Sequence, residues 1–163
     1  INQTTELNIS DALSNSPKFY PFTVGVAGNL VDVNLYCSTA STSNTLLVGI
    51  YSDDGGFPDS QISNVTIDMS STGSKTGTLG ATTTLALGVQ YWVGLVRGSS
   101  GDGFQTYNGI SSGGFDVFPS SDPFAAASKY SLSGSSNALP ASVTSSDLTT
   151  SDGNRMRIRG RFS

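Results

Sequence analysis

Histidine is absent from the 163 residues, cysteine occurs once, and charged side chains make up only 12% of the chain. Lack of histidine removes the commonest general base, the Ser–His–Asp arrangement and most catalytic zinc chemistry. A lone Cys37 leaves neither an intrachain disulfide nor a thiolate cluster for a metal. The charged fraction is about half of the roughly 25% usual in soluble domains. The formal net charge of −4 argues against nucleic acid as the main partner. No apolar run approaches the roughly 18 residues of a transmembrane helix, so membrane insertion is not expected. Nor does Ile1-Asn2-Gln3 open a basic-then-apolar leader, so no signal peptide is visible.

Neutral polar residues fill the space that charge leaves. The chain has 28 Ser and 17 Thr, together 45 residues, beside 19 Gly. Eight Phe, six Tyr and one Trp supply more aromatic surface than a disordered linker carries. A chain of this length buries roughly 70% of its extended surface, enough for one core without staples.

Apolar residues recur with period two. Val31, Val33, Leu35 and Cys37 alternate with Asp32, Asn34 and Tyr36, and Leu46, Val48 and Ile50 alternate with Leu47, Gly49 and Tyr51. Asp53-Asp54-Gly55-Gly56-Phe57-Pro58-Asp59 then reads as a turn held by acidic side chains. Ile62, Val65, Ile67 and Met69 mark another strand, whose first step of three predicts a bulge or a late start. Residues 73–84 read as a strand with a weakly apolar inner face. Gly88 to Arg97 reads as a buried strand with apolar side chains on both faces, either central or covered by a partner subunit. Tyr130 and Leu132 fit a short strand. In the last segment Met156, Ile158 and Phe162 share one parity while Arg155, Arg157, Arg159 and Arg161 share the other. Many short strands without amphipathic helices predict an all-β chain, an antiparallel β-sandwich of jelly-roll type. Residues 1–16 read as an arm or linker and 17–163 as one sandwich domain.

Three chemical features stand out. Four of the eight basic residues lie in 151–163 with one acid, a net +3, whereas residues 1–150 carry four basic and eleven acidic residues, a net −7. The arginines Arg155, Arg157, Arg159 and Arg161 fit an intersubunit contact, with guanidinium forks meeting carboxylates of a neighbouring chain. They equally fit a solvated face that protects a sheet from aggregation. Asp53, Asp54 and Asp59 lack the closing Glu of a calcium loop, so neither metal nor cofactor is expected and a capped turn is preferred. The third feature is Asp102-Gly103-Phe104-Gln105-Thr106-Tyr107-Asn108, where an aromatic ring, carboxylate and amides meet near a flexible loop. Tyr107 and Asn108, then Asp102 and Gln105, are the candidates for contacting a sugar; the competing reading has Tyr107 packed on a sheet and Asn108-Gly109 in a hairpin turn. Trp92 belongs in the core or an interface.

The segments Phe19-Tyr20-Pro21-Phe22-Thr23-Val24, Val48-Gly49-Ile50-Tyr51-Ser52-Asp53-Asp54-Gly55-Gly56-Phe57-Pro58-Asp59 and Leu87-Gly88-Val89-Gln90-Tyr91-Trp92-Val93-Gly94-Leu95 resemble, in order and spacing, β-sandwich domains of bacteriophage tail fibres and related virion receptor-binding proteins. The resemblance covers residues 18–97. It implies a jelly-roll-like sandwich, a homotrimer among other virion proteins, and a place at a phage tail or fibre. The function expected from it is non-enzymatic attachment to a host-surface glycan or receptor. A capsid cement, decoration or tail-connector protein is the alternative, followed by a carbohydrate-binding module cut from a secreted enzyme.

Overall fold

The computed structural model describes residues 8–9, 15–25, 27–41, 45–99, 105–107, 115–116, 130–134, 137–150 and 159–163. Twelve strands are described: β1 (Asn8–Ile9), β2 (Lys18–Thr23), β3 (Gly28–Thr39), β4 (Thr45–Asp54), β5 (Phe57–Asp68), β6 (Gly73–Leu85), β7 (Gln90–Arg97), β8 (Gln105–Tyr107), β9 (Phe115–Asp116), β10 (Tyr130–Leu132), β11 (Leu148–Thr150) and β12 (Arg159–Phe162). They form two antiparallel sheets, a β-sandwich. One runs β11-β10-β2-β7-β4-β5. In the other, β3 pairs with β6 along one edge and with β8 and β12 along the other, and these continue to β1 and β9. Among the described residues no helix is long and apolar enough to cross a membrane.

The alternation seen in the sequence becomes the space between the sheets. Leu46, Val48 and Ile50 of β4, Val93 and Leu95 of β7, and Tyr20 and Phe22 of β2 face Val33, Leu35 and Cys37 of β3 and Leu79 and Leu85 of β6. Burying each large side chain stabilises the fold by about 1.5–3 kcal/mol. Burial holds the Cys37 thiol above its ordinary range, nearby Lys75 lowering and Asp68 raising it to lesser degrees.

Two bulges shift the phase where the sequence pattern stumbles. Ile50 pairs with Ser63 but Tyr51 pairs with Gln61, so Ile62 is the extra residue and stands exposed. That slip turns Ser63 inward, where its Oγ accepts a 2.6 Å bond from the buried Thr83 hydroxyl. In β3 the register shifts between Leu30 and Asp32. Leu30 therefore fills the core and Val31, expected inside, is only half-buried.

β7 is apolar on both faces because the chain itself covers its outer side. Phe19, Tyr51, Trp92 and Val143 form a second buried cluster, flanked by Tyr130, Leu132 and Leu148. The 130–150 segment thus lies over the outer face of β2, β7 and β4, the position the sequence left open to a partner subunit. The strand itself begins at Gln90, since Gly88 has φ +74° within a turn.

Candidate functional site

The acidic turn is spent on structure. Gly55 and Gly56 have φ of +61° and +91° between the paired residues Asp54 and Phe57, the two-residue hairpin geometry that favours glycine. Asp53 Oδ1 accepts 2.6 Å bonds from Trp92 Nε1 and Gln90 Nε2, and its Oδ2 accepts from the Gly56 N–H at 3.2 Å. Asp59 Oδ2 accepts from the Ser52 and Ser60 hydroxyls. This matches the capped-turn expectation. Among the described residues no group of three or more His, Cys, Asp or Glu is arranged to hold a metal.

The outward face of β3 carries a different chemistry. Asp32, Asn34 and Tyr36 alternate with the core residues and lie beside Thr78, Thr76 and Ser74 of β6. The Thr76 hydroxyl donates to Asn34 Oδ1 at 2.5 Å, and Asn34 Nδ2 donates to Asp32 Oδ1 at 3.0 Å. Arg161 donates to Asp32 Oδ2 through Nε at 2.8 Å and also through Nη2. Farther along the same strand pair, Thr84 donates to Asn29. These links fix the rotamers of a flat polar surface. Tyr36 stands in that surface with 37% of its area exposed.

The predicted sugar-contact segment reaches this face by strand pairing. Gln105 and Tyr107 lie in β8, where Tyr107 stands opposite Tyr36 on one side and Asn8 on the other, and Gln105 pairs with Thr39. The sequence separated Tyr36 and Tyr107 by 71 positions, and nothing in it announced their register. Asp102 and Asn108 lie outside the described residues.

Arg161 is paired within the chain. Arg161 stands opposite Asp32, and Arg159 opposite Asp116 of β9 and Asn34 of β3. The cross-strand pairing of Arg161 with Asp32 is stabilising. Arg161, whose side chain is 55% exposed, engages Asp32 of its own chain. Arg155 and Arg157 lie outside the described residues.

Compared with known proteins, the chain matches no family model, no curated protein and no solved structure.

Proposed function

We propose that this chain is a non-enzymatic virion protein of a tail or fibre, which attaches the particle to a host-surface glycan or receptor. One observation carries this reading: an exposed tyrosine, Tyr36, is set in a rigid, hydrogen-bonded polar face beside the strand that holds Tyr107. Recognition of hydroxyl-rich ligands needs an aromatic face and fixed polar neighbours, and no reacting group.

The winding supports a jelly roll. Strand pairs β4–β5, β3–β6 and β2–β7 are nested around the Gly55-Gly56 turn. They lie in β2-β7-β4-β5 of one sheet and β3-β6 of the other, a nesting in keeping with a jelly roll. Jelly rolls recur in viral and lectin domains, in keeping with the resemblance of residues 18–97 to tail-fibre sandwiches. In a homotrimer, three such faces convert weak single contacts into avidity.

Capsid decoration or a tail connector is the second reading. Along Gly73–Gly80, β6 pairs with β3 on one side and with no described strand on the other, a geometry suited to a neighbouring chain. Immunogold localisation with subunit copy number separates the two. Trimers at a tail tip, and purified protein that binds host cells, are expected. Many copies spread over a capsid, with no cell binding, would overturn attachment in favour of decoration.

A further inference from the structure

Resting on that attachment reading, we infer that the ligand is an uncharged glycan chain, lying flat on the outer face of the β3–β6 sheet and stacked on Tyr36. The inference stands on charge balance. The charged side chains described on this face, Asp32 and Arg161, stand opposite one another in the ladder and are paired with each other. Asp32 is 4% exposed and already holds two guanidinium N–H groups and the Asn34 amide, so it offers no open anionic site. Arg161, turned onto Asp32, is correspondingly neutralised toward a ligand carboxylate or sulfate. The described polar groups beside Tyr36 include the amide of Asn34 and the hydroxyls of Thr76 and Ser74, all uncharged.

Among its described groups such a surface carries no uncompensated charge to draw a polyanion, and its hydrogen bonds hold the polar side chains in place before binding. The exposed Tyr36 ring supplies an apolar platform for the C–H face of a pyranose, whose equatorial hydroxyls then project sideways to amide and hydroxyl partners. A shallow face formed by three strands accommodates a chain rather than the end of one sugar.

The test is affinity electrophoresis of the intact chain through gels containing a β-glucan, a mannan, a galactan or a polyuronate. Retardation by at least one uncharged polymer, unchanged between about 0.05 M and about 0.5 M salt, is expected. Tyr36→Ala should weaken it about tenfold or more, while Tyr36→Phe keeps most of it. Trp92 fluorescence reports that each variant is folded. Preference for the polyuronate, steep loss of binding with salt, no retardation by any uncharged polymer, or a Tyr36→Ala variant that binds as before would each overturn the inference. Host-cell binding is measured in parallel. If cells are bound but no uncharged polymer is, the glycan assignment fails and attachment stands; if cells are not bound either, the attachment reading fails as well.

Discussion

Tyr51 shows how much one side chain organises. Its ring lies over the paired Gly49 and Gly94, where a Cβ on Gly94 would sit 2.8 Å from Tyr51 Cε2 and 2.9 Å from Phe19 Cε1. Phe19 meets it edge-on at 5.2 Å. Its hydroxyl donates to the Pro140 carbonyl at 2.8 Å and accepts from Gln61 Nε2 at 2.8 Å, which ties β4 to the 130–150 segment. Tyr51→Phe removes both bonds and leaves Gln61 Nε2 and the Pro140 carbonyl, both half-buried, only their long 3.5 Å contact with each other. This should cost about 0.5–1.5 kcal/mol in urea unfolding. Gly94→Ala should cost ~1–3 kcal/mol, because the ring above has no free space to move into. Burial drives the Tyr51 phenol well above its ordinary 10.0, the Gln61 hydrogen bond opposing this more weakly. A raised folded pKa means the stabilisation is whole below the unfolded value and is lost as pH rises beyond it. The wild-type protein should therefore lose stability above about pH 10, and Tyr51→Phe should flatten that slope. An unchanged alkaline slope in the variant would show that another group sets it.

At the scale of elements, the β4–β5 hairpin is the most local pairing in the sandwich and the centre of its nest. An L side chain at Gly56 must adopt φ near +91°, so Gly56→Ala should cost about 1–2 kcal/mol. Since closing this hairpin brings the later pairs together, most of that loss should appear as slower folding in a chevron plot. Faster unfolding with an unchanged folding rate would place hairpin closure after the barrier. The hairpin was also legible in advance: Leu46, Val48 and Ile50 alternate cleanly, and two adjacent glycines stand between the strands. β5 was harder, since its bulge moves Ile62 out and Ser63 in, and a period-two count has no term for an inserted residue. For β7 the two apolar faces were evident, but what covered the outer one was not. Pro140 and Val143 carry no periodic mark, and they reach Tyr51 and Trp92 through irregular backbone. The Tyr36–Tyr107 pairing was hidden for a related reason: β8 is three residues long, too short to show alternation.

Across the whole molecule the chain makes a sandwich and then covers one of its faces, and the two parts are held differently. The sandwich rests on ladders of six to nine paired positions, β2–β7, β4–β7, β4–β5 and β3–β6. The covering segment has three-residue strands and scattered links: Leu132 N–H to Pro17 O, Gln61 N–H to Ala141 O, and Val143 N–H to Asp59 O. Elements with few ladder bonds and a small buried cluster open at lower free energy than a core. The covering layer should accordingly detach while the sandwich persists, exposing Trp92, the chain's single tryptophan. Val143→Asp tests this directly, because it sets a carboxylate among Phe19, Tyr51 and Trp92 without touching the space between the sheets. Acrylamide quenching of Trp92 should rise severalfold, with its emission shifted to the red, while the far-ultraviolet β signal is retained. Val48→Asp, at a position with no exposure between the sheets, should instead abolish the β signal altogether. If Val143→Asp also erased the β signal, the covering layer and the sandwich would be one cooperative unit, and the two-part description of the molecule would be wrong.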